Sequence, residues 1–191
     1  MVRPDKLPKI LTEQETDRLL SQPNQRYFGP HRDYLYMRLM LKAGLRALEA
    51  TAFRPEHIDL MSGKLSVREG KGAKDRTLWI GEEMLGELQE WMDRRQEKAP
   101  KADYLLPTSK GTQVATSHLR RSVKRHARDA DIEEVDRVSP HTLRHTFATR
   151  LYRETGKIRL VQKALGHSDL STTMIYTHVV DEELETALKD L

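Results

Sequence analysis

The chain has 191 residues, enough for one substantial domain, with 33 Lys+Arg against 29 Asp+Glu and a net charge of +4. It has no cysteine, which removes disulfides and thiolate chemistry and agrees with a reducing compartment. The mean hydropathy is −0.71, the N-terminus lacks a signal-peptide core, and no run approaches the roughly 20 apolar residues of a membrane span, so the expectation is a soluble cytoplasmic protein.

Residues 1–11 hold prolines and lysines and read as an extended arm. Thr12-Glu13-Gln14-Glu15 matches a capping box and opens the first helix. A loop is expected over 22–31 and a helix over 34–43. Gly44-Leu45-Arg46 then turns into a second short helix carrying Glu49. Pro55 starts a single turn. From 58 to 80 the pattern changes to short apolar runs at 59–61, 64–67 and 77–80, separated by Ser62-Gly63 and by Gly70-Lys71-Gly72-Ala73-Lys74. This predicts one small three-stranded antiparallel sheet. An amphipathic helix follows over 82–98, then a loop over 99–115 with the apolar piece Tyr104-Leu105-Leu106. Residues 116–130 form a helix with Leu119, Val123 and Ala127 at i, i+4, i+8. Ser139-Pro140 starts the next helix, and Leu165-Gly166-His167 is a turn before a short helix bearing Tyr176. Asp181 is expected to cap a separate acidic helix to Leu191. The fold class is α+β, mainly helical. The division is an arm at 1–11, a domain at 12–180 and a C-terminal tail at 181–191.

The chemistry concentrates between Ser139 and His178. At about 100° per residue, His141, Arg144 and His145 share one helix face, while Leu143, Phe147, Ala148 and Leu151 can turn to a core. An arginine between two histidines, then His167, then a tyrosine, suits an anionic group with a hydroxyl beside it. A phosphodiester in transfer has negative charge on its non-bridging oxygens, which guanidinium forks meet while staying charged. Arg46 and Arg144 are the candidates for such a clamp. Lys71, on a glycine turn, can reach a leaving oxygen and protonate it, and His141 can take the proton of a tyrosine hydroxyl. Taken singly each is weak, because lone arginines and loop lysines are more often solvated and lone tyrosines more often pack. The i, i+4 pair His141/His145 has the spacing of a zinc-protease helix but Thr142 stands where that motif needs Glu, so no metal or other cofactor is expected. Arg120, Arg121, Lys124, Arg125 and Arg128 fall within 118–128 with no acid among them. Like charges at i, i+4 repel, so phosphate-backbone contact accounts for this row better than a merely solvated face does.

Together these boxes resemble the catalytic domain of the tyrosine recombinases, the lambda-integrase-like family that includes the Xer and Fim types. Its Gly-Leu-Arg-x-x-Glu box is similar to Gly44–Glu49, its Gly-Lys-Gly-x-Lys box to Gly70–Lys74, its His-x-Leu-Arg-His box to His141–His145 and its Leu-Gly-His to Leu165–His167, with the nucleophile nine residues on at Tyr176. The resemblance runs from about residue 10 to the C-terminus. It implies that Arg46, Arg144 and His167 hold a scissile phosphate of double-stranded DNA. It makes His141 the base toward Tyr176 and Lys71 the acid for the 5′ oxygen, with Lys74 and the basic helix meeting the backbone. Glu49 orients the first arginine and His145 supports the helix. The implied activity is site-specific DNA recombination through a 3′-phosphotyrosyl link, without ATP or metal, on a DNA-bound tetramer whose tails dock in trans. A nucleoid-associated location follows from DNA as partner. The family's N-terminal core-binding domain has no counterpart in these 191 residues, as in the Fim types or an excised fragment. Relaxation of the type IB topoisomerase kind, and a DNA-binding regulator with a relic site, are the alternatives.

Overall fold

The computed structural model describes residues 7–68 and 75–189. The turn with Lys71 and Lys74 lies outside them, as do residues 1–6, 190 and 191. The described elements are helices α1 (Glu13–Ser21), α2 (Phe28–Ala43) and α3 (Ala47–Ala52), strands β1 (Ile58–Asp59), β2 (Lys64–Val67) and β3 (Arg76–Trp79), then α4 (Glu82–Lys98), α5 (Thr116–Asp129), α6 (Pro140–Thr155), α7 (Ile158–Leu165) and α8 (Ser171–Lys189). The expected capping box opens α1: the Glu15 amide donates to Thr12 Oγ1 at 3.1 Å and the Thr12 amide to Glu15 Oε2 at 2.9 Å. Among the described residues no helix is long and apolar enough to cross a membrane.

Helix α2 is the axis of the domain. Every residue from Leu35 to Leu41 is buried, because α1, α3, α4, α5 and α6 all pack on it. Its one charge in that run, Arg38, is paired with Glu87 of α4 at 2.9 Å. The helix begins six residues before the expected start. Gly29-Pro30 reads as a break, but Pro30 falls in the first turn, where its missing N–H is not needed, and Phe28 stacks on Trp91 with ring centroids 4.6 Å apart. The loop after α4 is fixed from below: Trp91 Nε1 donates to the Leu105 carbonyl at 2.8 Å and Tyr36 Oη to that of Leu106 at 2.6 Å.

The sheet has the order β1-β2-β3, antiparallel throughout, with Leu65 opposite both Ile58 and Leu78 and Val67 opposite Arg76. Leu65, Val67 and Leu78 face the core. In the period-2 phase of β3, Arg76 points the same way as Leu78 and is buried with it.

Residues 7–11 lie outside any helix or strand and dock on the domain: Leu11 is buried and its amide donates to Thr146 Oγ1 of α6 at 3.0 Å. One expectation is corrected. No cap interrupts the C-terminal region at Asp181: one continuous α8 runs from Ser171 to Lys189, since nothing from Ser171 onward in this stretch breaks a helix.

Candidate active site

Gly44 starts the site. It closes α2 in the left-handed region at φ 61°, and a Cβ there would lie 2.3 Å from the Phe147 ring of α6. Glycine therefore lets α2 and α6 approach, and its carbonyl accepts from Arg144 Nη1 at 2.5 Å. Two residues on, Arg46 caps α3, with its amide on Glu49 Oε2 at 2.7 Å and its Nη1 on Glu49 Oε1 at 3.0 Å. Glu49 thus holds Arg46 through both carboxylate oxygens.

Arg144 sits on the buried face of α6, between Leu143 and the half-buried His145. Its Nη2 donates to the Leu165 carbonyl at the end of α7 at 2.7 Å and lies 3.3 Å from His167 Nε2. Burial, and then the nearby Arg46, lower its pKa to about 10, so it stays cationic at neutral pH. His167 follows Gly166, a left-handed cap of α7, and its Nδ1 meets Thr173 Oγ1 at 3.0 Å. Burial and the Arg144 charge push the imidazole down to about 4, so it is neutral. Two arginines beside one buried carboxylate, with a neutral histidine against the second, form a preorganised set of polar groups for an anion.

The Tyr176 hydroxyl is 2.9 Å from Nδ1 of His145. His141, expected as the base, lies on the first turn of α6 and is exposed, whereas His145, one turn later, is the imidazole that meets the phenol here. Burial and the His141 charge lower His145 to about 4; burial raises Tyr176 to about 12, against the pull of Arg144. The phenol therefore keeps its proton, hydrogen-bonded to a neutral His145.

Reasoning from sequence missed one central residue. Arg76, with only 4% of its side chain exposed, grips Glu49 through Nη1 to Oε1 at 2.9 Å and Nη2 to Oε2 at 2.7 Å. The signal was available, since Arg76 shares a strand phase with Leu78 and Ile80.

On α5, Arg120, Arg121, Arg125 and Arg128 are exposed. Arg121, Arg125 and Arg128 line an open groove with His118, Ser122 and Lys124; Arg120 is not part of it. Lys124 is already engaged, with Nζ on the Val135 carbonyl at 2.6 Å and near Asp136 at 3.3 Å. The groove is braced by buried Asp33, which accepts from Ser122 Oγ at 2.6 Å. Among the described residues no three His, Cys, Asp or Glu side chains come together as metal ligands.

A helical domain of this topology, with guanidinium groups from α3 and α6 sharing one carboxylate beside a tyrosine of α8, falls in the tyrosine recombinase catalytic-domain class. A profile of the phage integrase family matches residues 9–183. Tyrosine recombinase XerD of Pseudomonas putida is 38% identical over 182 residues, which is 94% of this chain and 60% of that protein. A crystal structure of XerA recombinase superposes with a TM-score of 0.83 at 33% identity, covering 98% of this chain and 66% of that one. XerH recombinase in a post-cleavage complex with its palindromic difH substrate gives 0.80 at 31% identity, over 96% and 53%. The chain belongs to the phage integrase family. It spans about six-tenths of the length of the P. putida protein.

Proposed function

We propose that this chain is the catalytic part of a site-specific recombinase that cuts and rejoins strands of double-stranded DNA through Tyr176. The observation that supports it most is the convergence of Arg46 and Arg144 on Glu49, with His167 against Arg144 and Tyr176 close enough for Arg144 to act on its phenol.

In this reading Arg46 and Arg144 take the non-bridging oxygens of one phosphate and His167 adds a hydrogen bond. Charge building on those oxygens meets fixed cations in a site shielded from water. Tyr176 Oη attacks phosphorus, a P–O bond to tyrosine forms and the bond to the 5′ oxygen breaks. At rest the protonated phenol is hydrogen-bonded to His145, and His141, exposed one turn earlier on α6, receives the proton as Tyr176 moves toward the phosphate. Lys71 gives its proton to the departing 5′ oxygen. The phosphotyrosyl ester retains the energy of the phosphodiester, so attack by another 5′ hydroxyl reverses the step without ATP. Arg121, Arg125 and Arg128 steer the duplex through backbone contacts, with Arg120 and Lys74 adding charge at their own positions. Four copies on two sites, exchanging the ends of α8, complete the recombining assembly.

The test is incubation with a duplex library that is randomised in sequence and nicked at one position, followed by denaturing electrophoresis. The expected result is a protein–DNA adduct that survives boiling in detergent, from which the preferred duplex is read by sequencing. Lys71→Ala should slow its formation by about 10²-fold or more. Tight duplex binding with no adduct contradicts the reading and points to a non-catalytic DNA-binding protein.

A further inference from the structure

Glu49 is a buried carboxylate surrounded by three guanidinium groups, and they are not equivalent. Arg76 fills both of its oxygens, at 2.9 and 2.7 Å. Arg46 takes one at 3.0 Å. Arg144 stands back at 3.9 Å and spends its hydrogens on the carbonyls of Gly44 and Leu165 instead. Burial works to raise the Glu49 carboxyl, and the bonds and charge of Arg76 outweigh it, so Glu49 is held ionised below its ordinary value.

Arg76 also reaches the end of α7. Its Nε donates to the Ala164 carbonyl at 2.9 Å, next to the Leu165 carbonyl held by Arg144. The last carbonyls of a helix have no partner within it, and cations there are favourable. Two guanidinium groups, one from β3 and one from α6, thus fix the turn that leads through Gly166 to His167. All three guanidinium nitrogens of Arg76 are thereby engaged within the protein, by Glu49 and the Ala164 carbonyl.

We propose that Arg76 is a positioning residue for strand cleavage. It fills both oxygens of Glu49, so that the carboxylate does not draw Arg144 off the phosphate, and it pins the end of α7 so that His167 stays in line. This rests on the reading of Arg46, Arg144 and His167 as the phosphate-binding groups. Remove Arg76, and Glu49 becomes a buried charge short of partners, with Arg144 the nearest replacement.

The experiment uses the full chain and the nicked duplex recovered from the randomised library. Duplex affinity, single-turnover adduct formation and thermal melting are measured for wild type, Arg76→Gln, Arg76→Lys, Glu49→Gln and the Glu49→Gln/Arg76→Gln pair. Both Arg76 variants should bind the duplex as wild type does and form adduct about 10²-fold more slowly, the scale of loss expected when reacting groups shift by about 1 Å. Lysine keeps the charge but cannot fork, so it restores folding without restoring rate. The double variant should regain about tenfold over Arg76→Gln, because the carboxylate that captures Arg144 is gone; that coupling is the mark of two groups acting as one. For the same reason the Arg76→Gln defect, taken as a ratio to wild type at each pH, should shrink as pH is lowered and Glu49 protonates. Wild-type rates in both Arg76 variants overturn the proposal. So does a slow, pH-independent defect that Glu49→Gln leaves unchanged, which is a purely structural role. Absence of adduct from the wild type itself overturns the underlying reading and the proposal with it. Should Arg76→Gln fail to fold, Arg76→Lys and its pair with Glu49→Gln decide the matter alone.

Discussion

Arg144 and Tyr176 sit on helices that touch, yet they are held by different cores. Arg144 follows Leu143, which is part of the main core together with Leu39, Met40 and Leu45. Two of its five N–H hydrogens are given to backbone carbonyls, and Arg46 is bonded to Glu49. Tyr176 belongs to a second, smaller cluster with Ala148, Val161 and Leu165, and its hydroxyl is held by one hydrogen bond to His145. The groups proposed to bind phosphate are tied to the main core and its buried carboxylate, while Tyr176, itself buried, packs in the smaller cluster. Electrostatic stabilisation needs donors that do not reorganise as charge develops, whereas a nucleophile that must approach, attack and later leave needs an element that can shift at low cost.

The largest effect that would break this contrast comes from the rigid half. Arg144→Ala should reduce adduct formation by about 10²–10³-fold or more, since it removes a phosphate ligand and frees the end of α7. A loss no greater than that of an exposed arginine such as Arg120→Ala would deny it a special place. Next come the two cores. Leu39→Ala and Leu165→Ala should each cost about 2–5 kcal/mol in denaturant unfolding, but hydrogen exchange should separate them. Leu39→Ala lowers protection everywhere, whereas Leu165→Ala loosens α7 and α8 and leaves α2 protected. Uniform loss in both would merge the two regions into one.

Acid sharpens the contrast further. His145 and His167 both titrate near 4 in the folded chain, below the ordinary histidine value of about 6.5. The unfolded chain therefore binds more protons between those values, so stability is complete above about pH 6.5 and is lost as pH falls toward 4. Melting followed from pH 7 to 4 should show this decline, and His145→Gln or His167→Gln should flatten it. A melting point that rises on acidification contradicts the assignment. The smallest effects belong to the α5 groove. Arg121→Ala or Arg128→Ala should weaken duplex binding evenly across sequences, each lowering the slope of log affinity against log salt by about 0.9 if it meets one phosphate. An unchanged slope would remove that arginine from the DNA-facing surface.

Much of this was legible in the chain itself. The helix starts at Thr12 and Ser139 and the sheet alternation carried the fold, because caps and period-2 burial are local physics. Glu49 beside Arg46, and Arg144 beside His167, followed from motif order. What escaped depended on tertiary contact. The start of α2 was hidden because Gly29-Pro30 has the composition of a loop, and stacking of Phe28 on Trp91 overrides it. Arg76 was hidden because a strand pattern is read from its apolar residues, and a buried arginine is sensible only once Glu49 and Ala164 are seen across from it. That His145, and not His141, meets the phenol at rest could not be read from spacing, since both share a face of α6 and only the position of α8 separates them.

The most direct measurement is the identity of the amino acid joined to DNA. Adduct formed on the recovered nicked duplex is digested with protease and nuclease, and the nucleotide-bearing peptide is sequenced by mass spectrometry. The account predicts a 3′-phosphate ester on Tyr176 and no adduct from Tyr176→Phe. A nucleotide on any other residue, or an undiminished adduct from Tyr176→Phe, would contradict it.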